Sequence, residues 1–69
     1  MYVRVFRKAA HVHAFVINML PSQGWEVREE HDSEIVRRVQ YDDWHRVERA
    51  KLHFAVQALS LAETGWVES

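Results

Sequence analysis

The stretch that decides the predicted fold is AFVINMLPSQGW at residues 14–25, because it aligns without a gap with AVQALSLAETGW at residues 55–66. Each copy is mostly apolar, reaches a Leu, runs four residues to a Gly and ends in a Trp. The chain has two glycines, Gly24 and Gly65, and they occupy matching places. A Gly just past an apolar-periodic run typically ends a helix, since the reversing residue needs a positive φ. A Trp suits the start of a strand, so the repeat predicts two helix-then-strand units.

The segments around the repeat complete a β-α-β-β-α-β order. We expect strands at residues 2–6, 25–31, 34–41 and 66–68, and helices at residues 9–23 and from the candidate N-caps Asp42 and Asp43 to about residue 64. This order is typical of a ferredoxin-like α+β fold, βαββαβ, with two helices packed on one face of a four-stranded antiparallel sheet. The alternative is an αββα order in which residues 4–20 form one helix, because their apolar residues also fit a helical face.

Residues 25–41 predict a β-hairpin. Trp25 and Val27 alternate with Glu26 and Arg28, as expected for a half-buried strand. The connection around Asp32 has no Gly, which favours a longer loop over a tight two-residue turn.

Composition limits the class of protein. A chain of 69 residues predicts a single domain spanning residues 1–69, and the absence of cysteine excludes disulfides and thiolate metal sites. The absence of cysteine is also compatible with a reducing cytoplasm, where we expect the protein to act. The net charge of −1 argues against a nucleic-acid partner. No apolar run approaches the ~18–20 residues of a membrane span, so we expect no membrane partner.

The predicted order resembles that of small metal-carrying and ligand-sensing domains of the ferredoxin-like class. Metal carriers of this class need Cys-x-x-Cys after the first strand, where this chain has Arg7-Lys8-Ala9-Ala10. The Gly-containing first loop favoured by the amino-acid sensors is missing too. The resemblance therefore implies the fold and neither function.

Five histidines raise the question of a metal site. His11 and His13 share a face only if their segment is extended, since on a helix they point about 200° apart. His45 and His53 are about 12 Å apart along the predicted second helix, too far to share one ion. We therefore expect dispersed, solvated histidines, no metal site and no cofactor.

The densest polar stretch is residues 41–49. Its Trp44, His45, Arg46 and Arg49 form a candidate anion site at a helix start, but a capped, salt-bridged first turn is the favoured interpretation. No nucleophile elbow and no Gly-rich phosphate loop is present. We therefore predict no catalytic residues and no enzymatic activity.

The second predicted helix is apolar around most of its circumference, and one sheet can cover only one side of it. The leading hypothesis is therefore a small non-catalytic interaction or regulatory module that forms a homodimer or docks on a larger protein. Its predicted interface is formed by Leu52, Phe54, Val56 and Leu59. The alternative is a single-stranded nucleic-acid-binding domain that uses the open face of the sheet, through Tyr2, Arg4, Phe6, Arg28 and Arg38.

Overall fold

A computed structural model describes residues 2–69 and shows a sheet of five strands with a single helix packed on it. The elements are β1 (Tyr2–Lys8), β2 (His11–Met19), β3 (Trp25–His31), β4 (Glu34–Tyr41), α1 (Trp44–Glu63) and β5 (Val67–Glu68). The strand order is β4-β3-β2-β1-β5, and each neighbouring pair is antiparallel. The first four strands form a meander, and α1 returns the chain to place β5 beside β1.

The ferredoxin-like prediction is wrong, because residues 11–19 form a strand where we expected the first helix. Phe15 and Ile17 face α1, while Ala14 and Val16 are buried on the opposite face. A strand buried on both faces is apolar at consecutive positions, which locally resembles an apolar helix. The αββα alternative is wrong for the same reason, since residues 4–20 contain most of β1 and all of β2.

The turns explain part of this error. β1 and β2 are joined by Ala9 and Ala10, with Ala9 at φ 54°, so this hairpin lacks the Gly or Asn that normally indicates such a turn. The loop predicted between β3 and β4 is a two-residue turn instead, with Asp32 at φ 51° and Ser33 at φ 70°. Positive φ at both central residues defines the primed turn whose twist matches that of the flanking strands. The strand limits predicted for this hairpin are confirmed.

The core lies between α1 and the middle of the sheet. Phe15 of β2 and Val47 of α1 are fully buried, and the ring of Phe54 stacks on that of Phe15 at 4.5 Å between centroids. Asp43 is the N-cap of α1, and its side chain accepts a hydrogen bond from the His45 amide at 3.0 Å, as predicted for a capping carboxylate. Between residues 2 and 69, α1 is the one helix, and it is not apolar enough to cross a membrane.

The C-terminal strand is attached to β1 by an ion pair and by the backbone. Arg4 donates two hydrogen bonds to the Glu68 carboxylate, at 2.8 and 2.7 Å. The Ser69 amide donates to the Val5 carbonyl at 3.0 Å. The hydrogen bond from Arg4 lowers the pKa of Glu68, so β5 is held most firmly when this carboxyl group is ionised.

We expect Gly24→Ala to be more destabilising than Gly65→Ala. Both glycines have a positive φ, +99° and +95°, which costs an alanine about 1–2 kcal/mol. A Cβ on Gly24 would also lie 2.7 Å from the Tyr41 carbonyl oxygen, whereas one on Gly65 meets only the Lys8 side chain at 3.5 Å. Urea denaturation should give a loss of about 2–4 kcal/mol for Gly24→Ala, since overpacking adds to the strain. Equal losses would contradict the close contact at Gly24.

Acid should release β5 before the rest of the sheet opens. The folded-state pKa of Glu68 is lowered by Arg4, so the stabilisation is complete above the unfolded-state pKa and is lost as pH falls through the folded-state pKa. The hydrogen-exchange protection factor of the Ser69 amide should decrease over that range, which lies at and below the usual glutamate pKa. In Glu68→Gln, used as the control, this protection factor should be low already and independent of pH there.

Candidate functional site

Three of the five histidines meet at one end of the sheet. His11 and His13 are alternate residues of β2 on its α1 side, and His31 of β3 lies opposite His13 in the strand register. The rings of His11 and His31 are stacked with centroids 5.8 Å apart, and those of His13 and His31 are 5.6 Å apart. Because side chains two residues apart on a strand share a face, the extended β2 creates this cluster.

Asp32 joins the cluster from the turn after β3. Its amide donates to the Val12 carbonyl at 2.8 Å, and its Oδ1 accepts from the Val12 amide at 2.8 Å. Its Oδ2 lies 2.8 Å from His11 Nδ1 and 3.4 Å from His31 Nε2. The hydrogen bond from His11, followed by that from the Val12 amide, lowers the pKa of Asp32. The turn therefore fixes an ionised carboxylate between two imidazole rings.

A less exposed pair lies behind this outer group. His13 Nε2 is 2.9 Å from Glu29 Oε2, and the two side chains are 14% and 16% exposed. The other ring nitrogen, His13 Nδ1, is 3.4 Å from His31 Nδ1. Trp66 packs against both rings, with centroid distances of 6.2 Å to His13 and 6.3 Å to His31. The side chains thus form a continuous path from Glu29 through His13 and His31 to Asp32.

This cluster was not predicted from the sequence, because residues 9–23 were expected to form a helix. His11 and His13 share a face only in an extended segment, and residues 11–19 are extended in the structure. One other signal for the cluster was present in the sequence. In the predicted hairpin, His31 is the last residue of β3 and Asp32 follows it in the turn. His45 and His53, on the first and third turns of α1, do not belong to the cluster.

Gln57 of α1 adds an unpaired polar atom beside His13 and Glu29. A small cavity of about 160 Å³ separates α1 from the sheet here, and His13, Glu29 and Gln57 line it. The Gln57 Oε1 atom is buried without a hydrogen-bond partner among the described residues. The contact between α1 and the histidine end of the sheet is therefore less closely packed than the contact at Phe15.

A larger cavity of about 460 Å³ lies on the other side of α1, against β3 and β4. Its floor is apolar, and its rim carries three arginines and one carboxylate. The floor is formed by Val27, Val39, Ala50 and Phe54, and the rim carries Arg37, Arg46, Arg49 and His53 together with Tyr41 and Glu29. Two arginines of the candidate anion site, Arg46 and Arg49, thus meet Arg37 from the sheet. This arrangement can hold an anionic group above an apolar surface.

The predicted partner interface divides between the two sides of α1. Leu52, Val56 and Leu59 are 70%, 64% and 68% exposed, on the side away from the sheet. Phe54, which we included in the same surface, is 4% exposed and packs on Phe15. It is a core residue, because its position on the helix is on the side that faces the sheet.

The residues of the predicted nucleic-acid face do not form one surface. Tyr2, Arg4 and Phe6 project toward the α1 side, where Phe6 is buried and Tyr2 stacks on Phe54. Arg28 and Arg38 lie on the opposite face. There Arg28 pairs with Glu26 and Glu30, and Arg38 also pairs with Glu26. The aromatic rings expected to stack on bases are thus separated from these arginines, and the arginines are paired with carboxylates.

Comparison with known proteins gives no family for this chain: no family model, curated protein or solved structure matches it significantly.

Proposed function

We propose that the protein is a small non-catalytic interaction module that acts in the cytoplasm as a homodimer, joined through the outer face of α1. The observation that carries the proposal is the exposed apolar stripe formed by Leu52, Val56 and Leu59. These residues are spaced by four and three positions, so they lie on one side of the helix. Adjacent to them, Ala55 and Ala62 are small and exposed, which allows another helix to approach closely.

The stability of the domain supports a partner on this face. A chain of this length buries only about 60% of the surface that it exposes when unfolded. A large apolar side chain gains about 1.5–3 kcal/mol when it is fully buried, so three exposed ones on one helix leave considerable stabilisation unused. A second copy presents the same apolar stripe, and a two-fold axis brings the two stripes together.

The charges on α1 favour an antiparallel arrangement of the two helices. The first turn contains no acidic residue and the last turn no basic one, whereas Arg46 is in the first turn and Glu63 is in the last. Both charges are unfavourable in their own helix, because the positive side chain lies at the positive end of the helix dipole and the negative one at its negative end. In an antiparallel pair, the arginines of one helix lie beside the negative end of the other. With a two-fold axis at Val56, Arg49 faces Glu63 of the partner subunit, because each is seven residues from the axis.

We expect Val56→Glu combined with Leu59→Glu to give a folded monomer. Both side chains are exposed in the single chain, and burying two carboxylates in the dimer should weaken association by about a hundredfold or more. Sedimentation and native mass spectrometry should find twice the 8.2 kDa chain mass for the wild type and the single mass for the variant.

Two control variants make this result specific. Val36→Glu changes a residue on β4 that is 57% exposed, so it should leave the dimer intact. Ala58→Glu places a carboxylate against the sheet, where Ala58 is 6% exposed, and should unfold the chain. A monomeric wild type at micromolar concentration, or dissociation by Val36→Glu, would overturn the proposal.

A charge exchange tests the antiparallel arrangement. Arg49→Glu and Glu63→Arg should each weaken the dimer by about twofold to thirtyfold, because each change acts twice and exposed pairs contribute about 0.2–1 kcal/mol. The double variant restores opposite charges across the axis, so its dissociation constant should return toward that of the wild type. If the two effects simply add, Arg49 does not face Glu63 of the partner subunit, and an antiparallel pairing about Val56 is excluded.

A further inference from the structure

The histidine cluster has the composition and spacing of a metal site. His11, His31 and Asp32 each offer one ligand atom, and these three atoms lie within 4.8 Å of one another. Two imidazole nitrogens and a carboxylate oxygen suit first-row transition ions better than Mg²⁺ or Ca²⁺, which prefer oxygen alone. We propose that His11, His31 and Asp32 bind one divalent transition ion per chain, with Zn²⁺ as the representative ion.

One of the two distances around Asp32 matches a metal centre, and the other must lengthen slightly when an ion binds. Zinc bonds of about 2.0–2.1 Å in a tetrahedral centre place ligand atoms about 3.3 Å apart. Asp32 Oδ2 is 2.8 Å from His11 Nδ1 and 3.4 Å from His31 Nε2. The side chain of His11 is 59% exposed, so it can rotate to adjust its position. Three protein ligands leave a fourth position open to water.

The hydrogen bonds behind the site provide an independent reason to expect a cation. When His13 Nε2 donates a hydrogen bond to the Glu29 carboxylate, His13 Nδ1 is left as the acceptor for His31 Nδ1. His31 Nε2 then carries a lone pair, and it faces the Asp32 carboxylate at 3.4 Å. Two acceptors at this distance repel each other unless a proton or a metal ion lies between them. A metal ion bound to both atoms removes the repulsion.

The series of contacts from Glu29 through His13 to His31 can orient His31 in the way that metal-bound histidines are usually oriented. A ligating histidine commonly donates its other N–H to a second group, which fixes its orientation and increases its basicity. Here His31 is supported by His13, and His13 by the little-exposed Glu29. Asp32 is fixed by two hydrogen bonds to Val12, and Trp66 packs against the ring of His31. Two of the three ligands are thus held in place before an ion binds.

The metal site does not depend on the proposed dimer. Its ligands come from β2 and from the end of β3, whereas the apolar stripe is on the outer side of α1. A variant that separates the dimer should keep the ion, and a variant that loses the ion should keep the dimer. Failure of either proposal is therefore distinguishable from failure of the other.

Calorimetric titration of the full chain with Zn²⁺ in a non-coordinating buffer tests the proposal. The decisive variant is Asp32→Asn, because Asn tolerates the positive φ of this turn and its carbonyl oxygen can still accept from the Val12 amide. His45→Asn, which changes an exposed histidine on the first turn of α1, is the matched control. Thermal melting without metal verifies that each variant is folded, and Co²⁺ absorption reports the coordination directly.

We expect one Zn²⁺ per chain, a visible Co²⁺ band typical of four-coordinate nitrogen and oxygen ligation, and loss of that band in Asp32→Asn. The affinity for Zn²⁺ should fall at least about tenfold in folded Asp32→Asn and stay unchanged in His45→Asn. If Asp32→Asn does not fold, His11→Asn should show the same loss, because His11 is exposed and outside the core. Half an ion per chain, equal affinities in all variants, or no binding at micromolar Zn²⁺ would overturn the proposal.

Discussion

The contact between Phe15 and Phe54 is the interaction on which the rest of the structure depends. Phe15 is at the centre of the middle strand and has no exposed surface, and Phe54 covers it from α1. A single helix covers only part of one face of the sheet, so side chains on that face differ strongly in burial along each strand. Near Phe15 the side chains on this face are buried or little exposed. Beyond the cover of α1, at the end of the sheet, the same face carries His11 and Asp32, which remain accessible.

The parts of the fold that follow local rules could be predicted from the sequence. The β3–β4 hairpin was predicted with its limits because its first strand alternates in polarity, and this pattern depends only on neighbouring residues. The N-cap Asp43 and the helix-ending Gly65 with its positive φ were also confirmed, since a carboxylate cap and a left-handed residue are local requirements. Gly24 also has a positive φ, but it follows a strand and not the predicted helix. The same applies to α1, whose predicted end at about residue 64 agrees with the C-cap Thr64.

Residues 11–19 could not be assigned by the same rules. Ala14 to Ile17 are all buried, two on each face of the sheet, and burial on both faces removes the alternation that identifies a strand. The deciding factor is the pairing with β1 and β3, which is not local. This assignment also controlled the candidate site: a helical period separates His11 from His13, and a strand period puts them together. The cluster was therefore unpredictable until the strand was known, whereas Leu52, Val56 and Leu59 belong to a helix that was predicted and are exposed as expected.

The two proposed features have different physical origins in this two-layer architecture. The apolar stripe of α1 arises because no third layer covers the helix, and a second copy of the chain is the simplest layer that carries a matching surface. The histidine cluster arises from strand register, which sets His13 opposite His31 and brings Asp32 to Val12. Register is fixed by backbone hydrogen bonds and by the buried face of β2. The geometry of the histidine cluster is consequently determined within one folded chain, while the role proposed for the helix face requires two chains.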